Sequence, residues 1–135
     1  MGIGAAQRAF EEAAQYIQDR QAFSKRLSDF QGVRWMVADM KVKLDAAWLL
    51  IHRTASNAER GFPSESEAAV AKTFANEAAL AVASDAMQLF GANGYSREFV
   101  MERIYRDVRA FAIAGGTTQI QRNLIARNVL GKRQY

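Results

Sequence analysis

Apolar positions along this chain recur with helical spacing. Phe30, Val33, Val37, Met40, Leu44, Ala47 and Ile51 step by three or four residues, which places them on one face of a helix. The seam predicts a single amphipathic helix over residues 29–59. Gly61 and Pro63 close it and open the next. "SESE", Ser64 to Glu67, has the form of a capping box. The helix predicted over 64–90 is alanine-rich (Ala68, Ala69, Ala71, Ala75, Ala78, Ala79, Ala81, Ala83), and small side chains let neighbouring backbones approach. "GANGY", Gly91 to Tyr95, reads as a turn. A shorter helix over 97–109 turns Phe99, Ile104 and Val108 inward, and Gly115–Gly116 break the chain after it. Thr118 with Gln121 resembles a capping box for a last helix over 117–130, which stops at Gly131. Residues 2–20 also read as helix, and neither a strand nor an internal repeat is expected. These elements predict an all-α fold, an antiparallel up-down four-helix bundle with an additional short helix.

Composition narrows the chemistry. The 135 residues suffice for one domain with its own core. There is no cysteine, so disulfides and thiolate metal sites are excluded. His52 is the single histidine, one too few for the paired Glu-x-x-His motifs of a di-iron bundle, and no metal is expected. No apolar run approaches the length of a membrane span. The opening "MGIGAAQRAFEEAAQY" carries Glu11 and Glu12 and no basic region. It reads as neither secretory signal nor transit peptide, so a cytoplasmic location is expected, or the mitochondrial matrix in a eukaryote. Its apolar run begins without a cap, which creates the expectation of a chain cut from something longer.

The net charge of +4 is unevenly placed: Val108 to Tyr135 holds Arg109, Arg122, Arg127, Lys132 and Arg133 and no acid. Two readings remain open, a solvated basic end complementing helix C-termini and a surface for a phosphate-bearing ligand or an acidic partner. Nucleic acid is not expected, because no aromatic platform or recognition motif accompanies the basic residues.

Four segments could carry chemistry. "DRQAFSKRLSDFQ", Asp19 to Gln31, joins two helices by a basic loop whose Arg20, Lys25 and Arg26 could grip a phosphate or simply be solvated. "QLFGANGY" ends a helix at Gln88 against backbone-exposing glycines. "IYRDVRAF" holds an Arg–Asp neighbour pair most simply read as structural. The Gly115–Gly116 turn precedes a helix start, where free N–H groups and the helix dipole favour anions or carbonyls. Each segment alone is a weak signal.

Their order and spacing together resemble the C-terminal helical domain of the acyl-CoA dehydrogenase family. The resemblance runs over nearly the whole chain through "AQRAFEEAAQYIQDRQAFSKRLSDFQ", "MVADM", "AVAKTFANEAA", "QLFGANGY", "IYRDVR" and "GGTTQIQRNLIAR". It implies an FAD-dependent α,β-dehydrogenation of acyl-CoA thioesters by a homo-oligomer, dimer or tetramer, that passes electrons to an electron-transfer-flavoprotein-like acceptor. By the same resemblance, Arg20 and Phe23 match an Arg-x-x-Phe that meets the flavin's pyrophosphate and adenosine part, and Gln31 a glutamine nearby. Gln88, Leu89, Phe90, Gly91 and Ala92 match the segment around the adenine end. Thr117, Thr118 and Gln119 match a segment meeting FAD at the last helix, and Arg127 an arginine near the CoA nucleotide. Two residues depart from the pattern: Ser24 and Ala92 stand where the family has glycine.

A third departure concerns the reaction itself. Removing the α-proton of an acyl thioester needs a carboxylate beside the α-carbon. Many relatives carry it in Tyr-Glu-Gly-Thr, where this chain has Ala114 and Gly115. The resemblance still assigns substrate contact to Gly115 and Gly116, with the Gly115 N–H polarising the thioester carbonyl. In some members the base lies on the domain's first helix, at a position that would precede Met1. Glu11, Glu12 and Asp19 read as a solvated face. No catalytic residue is therefore expected in this chain, the helical and β-domains preceding this one are absent from it, and in isolation it should be inactive. A non-catalytic bundle completing a partner's FAD site, or serving only association, is the alternative.

Overall fold

The long helices follow the apolar periodicity, and two of them, over Glu65–Phe90 and Thr118–Leu130, also carry side-chain caps. A computed structural model describes residues 1–58 and 61–131, and the fold within them is helical, with one two-stranded hairpin. The helices are α1 (Gly2–Asp19), α2 (Gln31–Ser56), α3 (Glu65–Phe90), α4 (Ala92–Tyr95), α5 (Met101–Phe111) and α6 (Thr118–Leu130). The expected end of α2 at residue 59 lies outside the described residues, as do Lys132 and Arg133.

α3 is the hub and packs against α1, α2, α5 and α6. Its alanines explain why. Ala75, Ala78, Ala79, Ala83 and Ala86 are buried, facing Ala6, Ala9 and Ala13 of α1 and Met40, Leu44 and Ala47 of α2 in one core. Small side chains on both sides allow close axial approach, and Met40, Leu44, Val82, Met101 and Val108 fill the remaining space. Ile104 and Val108 of α5 are buried as expected, with Phe99 partly so.

The caps are local and legible. Ser64 Oγ accepts the Glu67 N–H at 3.2 Å, an interaction worth about 1 kcal/mol. At α6 the cap is Thr117, whose Oγ1 accepts the Ile120 N–H at 3.3 Å. This corrects the Thr118–Gln121 capping box by one residue. Two further expectations change. The 91–95 turn contains a one-turn helix, α4, and the basic loop after α1 contains a hairpin. In that hairpin β1 (Gln21–Ala22) pairs antiparallel with β2 (Lys25–Arg26).

Candidate functional site

Two groups of the sequence-predicted residues come together, at different places along α3. The first lies where α1 ends. Arg20 leaves the helix in an extended conformation, with its N–H on the Tyr16 carbonyl at 2.8 Å. The hairpin then reverses through Phe23 and Ser24 at φ +51° and +61°. Both are left-handed, as a tight two-residue hairpin turn requires, and neither is the glycine that conformation favours. A 3-10 turn, Leu27–Asp29, leads into α2, with Asp29 Oδ2 accepting the Arg26 N–H at 3.1 Å.

Across from it α3 runs out at Phe90. Gly91 adopts φ 59°, ψ −139° and turns the chain into α4, a conformation that glycine tolerates and other residues do not. Ala92, the first residue of α4, needs no such freedom, so its methyl in place of a second glycine is accommodated. Tyr16 ties the corner down: its ring stacks on Phe90 at 4.1 Å and its Oη accepts Asn93 Nδ2 at 2.9 Å.

Between these parts lies a cavity of about 430 Å³ walled by Tyr16, Arg20, Met36 and the run Gln88–Asn93. Arg20 thus meets Gln88, Leu89, Phe90, Gly91 and Ala92, although more than sixty residues separate them in sequence. Leu89 and Phe90 are themselves core residues. The Arg20 side chain is exposed and has no carboxylate partner among the described residues. Phe23 is 91% exposed at the hairpin tip, its ring edge-on to Phe30, and Gln31 opens α2 on the surface. Neither lines the cavity.

The second group surrounds the turn after α5. Gly115 and Gly116 take φ +63° and +92°, and Thr117 caps α6. Thr118 and Gln119 form the first turn of that helix. Sequence reasoning missed what holds this turn. Lys72 Nζ donates to the carbonyls of Ala114, at 3.0 Å, and Gly115. Asn76 Nδ2 donates to Phe111 O at 3.0 Å, and Gln121 Nε2 reaches Gly116 O at 3.5 Å. Asn76 and Gln121 are buried. The available signal was a lysine and an asparagine four residues apart inside an alanine-rich helix. Lys72 lies sixteen residues from Gln88, about 24 Å along the helix axis. Thr117, Thr118 and Gln119 do not reach the first cavity.

The basic end is partly neutralised by α3. Arg122 pairs with Glu77, and Arg127 with Glu65 at 2.7 Å. Arg106 pairs with Glu102 at 3.4 Å, which corrects the expected Arg–Asp neighbour pair. Glu12 and Asp19 bond to Arg8 and Gln15 along α1, and Glu11 to Gln7, as a solvated face does. No helix among the described residues is long and apolar enough to cross a membrane.

The chain is similar to known proteins over nearly its whole length. Residues 1–130 match the family model for the acyl-CoA dehydrogenase C-terminal domain. The 3-sulfinopropanoyl-CoA desulfinase of Cupriavidus necator is 47% identical over 130 residues, 96% of this chain and 33% of that protein. The butyryl-CoA dehydrogenase structure from Megasphaera elsdenii superposes with a TM-score of 0.92 at 34% identity, over 96% of this chain and 34% of that one. An FAD complex of PigA gives 0.88 at 30% identity, over 95% of this chain and 33% of that one. The chain therefore spans about a third of the length of these relatives.

Proposed function

The chain belongs to the acyl-CoA dehydrogenase family, and from that premise we propose that residues 1–135 are the C-terminal domain of an FAD-dependent oxidoreductase acting on acyl-CoA thioesters. The observation that carries the reading is the cavity in which Arg20 meets Gln88–Ala92. Its donor set fits the adenosine diphosphate part of FAD. Tyr16 and Phe90 offer aromatic surface, Gln88 an amide, and Arg20 a guanidinium free to fork onto a phosphate. Phe23 and Gln31 lie outside the cavity and are carried as further FAD contacts by the family resemblance alone. FAD, when bound, supplies the acceptor for a hydride from the acyl β-carbon.

The second group takes the other end of the chemistry. Thr117, Thr118 and Gln119 offer the start of α6 to FAD. The Gly115 N–H binds the thioester oxygen, which lowers the α-proton's pKa, and the small residues Ala114 and Gly115, both exposed, leave room for the acyl group. Arg127 reaches CoA only by sharing its Glu65 partner. The 24 Å between the groups supports two cofactor molecules in a homo-oligomer rather than one molecule spanning both. So does an unpartnered stripe along α2: Trp35, Val42 and Leu49, seven residues apart, are 61%, 68% and 70% exposed. The electron acceptor is a protein of the electron-transfer-flavoprotein kind.

Arg20→Ala tests the reading. In the assembled flavoprotein it weakens FAD binding about tenfold or more, since a hydrogen bond to a charged group is worth roughly 1.5–3 kcal/mol. The exposed position leaves folding intact. Undiminished flavin content in that variant overturns the assignment.

A second reading has its own support. Position 115 carries no carboxylate, and the relative 47% identical is named a desulfinase, not a dehydrogenase. On that reading the thioester is held by the same turn, and no α-proton is removed there. Deuterium retained at the α-carbon of a turned-over acyl-CoA favours it, and wash-out overturns it.

A further inference from the structure

We infer that Lys72 is a positioning residue for the acyl-thioester end of the site, fixing and strengthening the backbone donor at Gly115. The inference rests on the proposed role of that N–H. Two adjacent glycines at φ +63° and +92° form a segment with the greatest backbone freedom available. Its own backbone bonds close it only at its ends, with the Ala114 N–H on Ala110 O and the Thr118 N–H on Ala112 O, and the peptides between them are held from outside the turn. α3 presents Lys72 and Asn76 one helical turn apart, on one face, and both are spent on carbonyls of the segment. Asn76 takes that of Phe111, while Lys72 takes those of Ala114 and Gly115. Gln121 adds Gly116 from the α6 side.

With the carbonyls drawn toward α3 and α6, the N–H groups are left over. Those of Gly115, Gly116 and Thr117 meet no acceptor among the described residues, and Ala114 and Gly115 are exposed. The bond to Ala114 O has a second consequence. That oxygen belongs to the same peptide group as the Gly115 N–H. An ammonium on the carbonyl polarises the group and makes the N–H a stronger donor, the cooperative effect of chained hydrogen bonds. Lys72 thus sits one peptide away from the thioester oxygen and acts on it only through Gly115.

Lys72→Met keeps the apolar stem and removes the donor and the charge. Two measurements separate the clamp from the function. In this chain, backbone ¹⁵N relaxation over residues 113–117 is expected to fall from an order parameter of about 0.85 to below about 0.6, with helicity retained. In the assembled flavoenzyme, the ¹³C=O stretch of a bound acyl-CoA should move back toward its solution frequency. The same variant should lose kcat/KM about ten- to hundredfold while affinity for free CoA stays constant. An unchanged turn in the first measurement overturns the clamp. A loosened turn with an unshifted carbonyl band overturns the positioning role. If wild-type protein shows no shifted band with any acyl-CoA, the reading of Gly115 itself fails and the role falls with it. Should Lys72→Met fail to fold, Lys72→Gln provides the same readouts with one neutral donor retained.

Discussion

At its C-terminal end α3 helps wall a cavity whose free polar groups are side chains, Arg20 and Gln88. A third of the way along, the same helix spends Lys72 and Asn76 on the carbonyls of a turn, so that the groups left free are backbone N–H. On the proposed function, the first region would recognise its ligand through a guanidinium that can adjust. Ser24 stands away from the cavity wall, and Ala92 lines it from the first position of α4, where no glycine torsion is required. The second region would recognise its ligand through peptide geometry, which a change of torsion alone would alter. Their sensitivity to substitution should differ accordingly.

Gly94→Ala carries the largest expected effect and strikes the cavity end. A Cβ there would stand 2.5 Å from the Met87 carbonyl oxygen and 3.0 Å from Phe90 Cβ. Backbone is in the way, so α4 must move. Overpacking of this kind costs about 1–3 kcal/mol, and the value expected is near the top of that range, read from the urea midpoint. The turn beside Lys72 should keep its order in the same variant. Gly4→Ala, with nothing within 4 Å, is the contrast and should gain roughly 0.5–1 kcal/mol. A Gly94→Ala protein as stable as wild type would mean that the corner is not locked, and the contrast between the two regions would fail.

Gly115→Glu comes next and probes the backbone-built region. It places a glutamate where the family resemblance puts the base, yet here the position is at φ +63° with Lys72 Nζ 3.3 Å from the added Cβ. The left-handed conformation costs a side-chain-bearing residue about 1–2 kcal/mol, so a loss of that size is expected on denaturation. The new carboxylate would face an ammonium, which holds it as an ion pair rather than as a free base. Dehydrogenation should not increase. A stable Gly115→Glu protein that gains α-proton exchange would show that the turn was built for a glutamate after all.

How far the sequence led differs between the regions for the same physical reasons. The α2 seam, the Ser64 cap and the alanine face of α3 are local or periodic, and the elements they predict form. The cap of α6 slipped by one residue because Thr117 and Thr118 are both competent N-caps. The hairpin was illegible: its turn is Phe23–Ser24, with no glycine or asparagine to mark it. α4 was hidden by Gly91 and Gly94, which read as breakers although the second is simply close-packed. Arg20 and the Gln88 segment were weak candidates on local grounds, the family pattern sharpened them, and their common cavity required the fold. Lys72 and Asn76 escaped because a polar residue on a helix is read as solvated until the partner, some forty residues away, is placed beside it.

Ser24→Gly is the smallest change and returns to the cavity side. Ser24 holds φ +61° at the second central position of the hairpin turn. Relief of the left-handed conformation is worth about 1–2 kcal/mol, against roughly 0.5–1 kcal/mol of added chain entropy in the unfolded state. A net gain of about 0.5 kcal/mol should raise the melting midpoint by about 2 °C. The gain should come without change in flavin affinity, since Arg20 is fixed by its own bonds to Tyr16 and Leu27 and not by the turn. A Ser24→Gly protein that binds FAD more tightly would show that strain in the hairpin reaches Arg20. The cavity would then depend on backbone torsion as the Gly115 turn does, and the difference between the two regions would be one of degree.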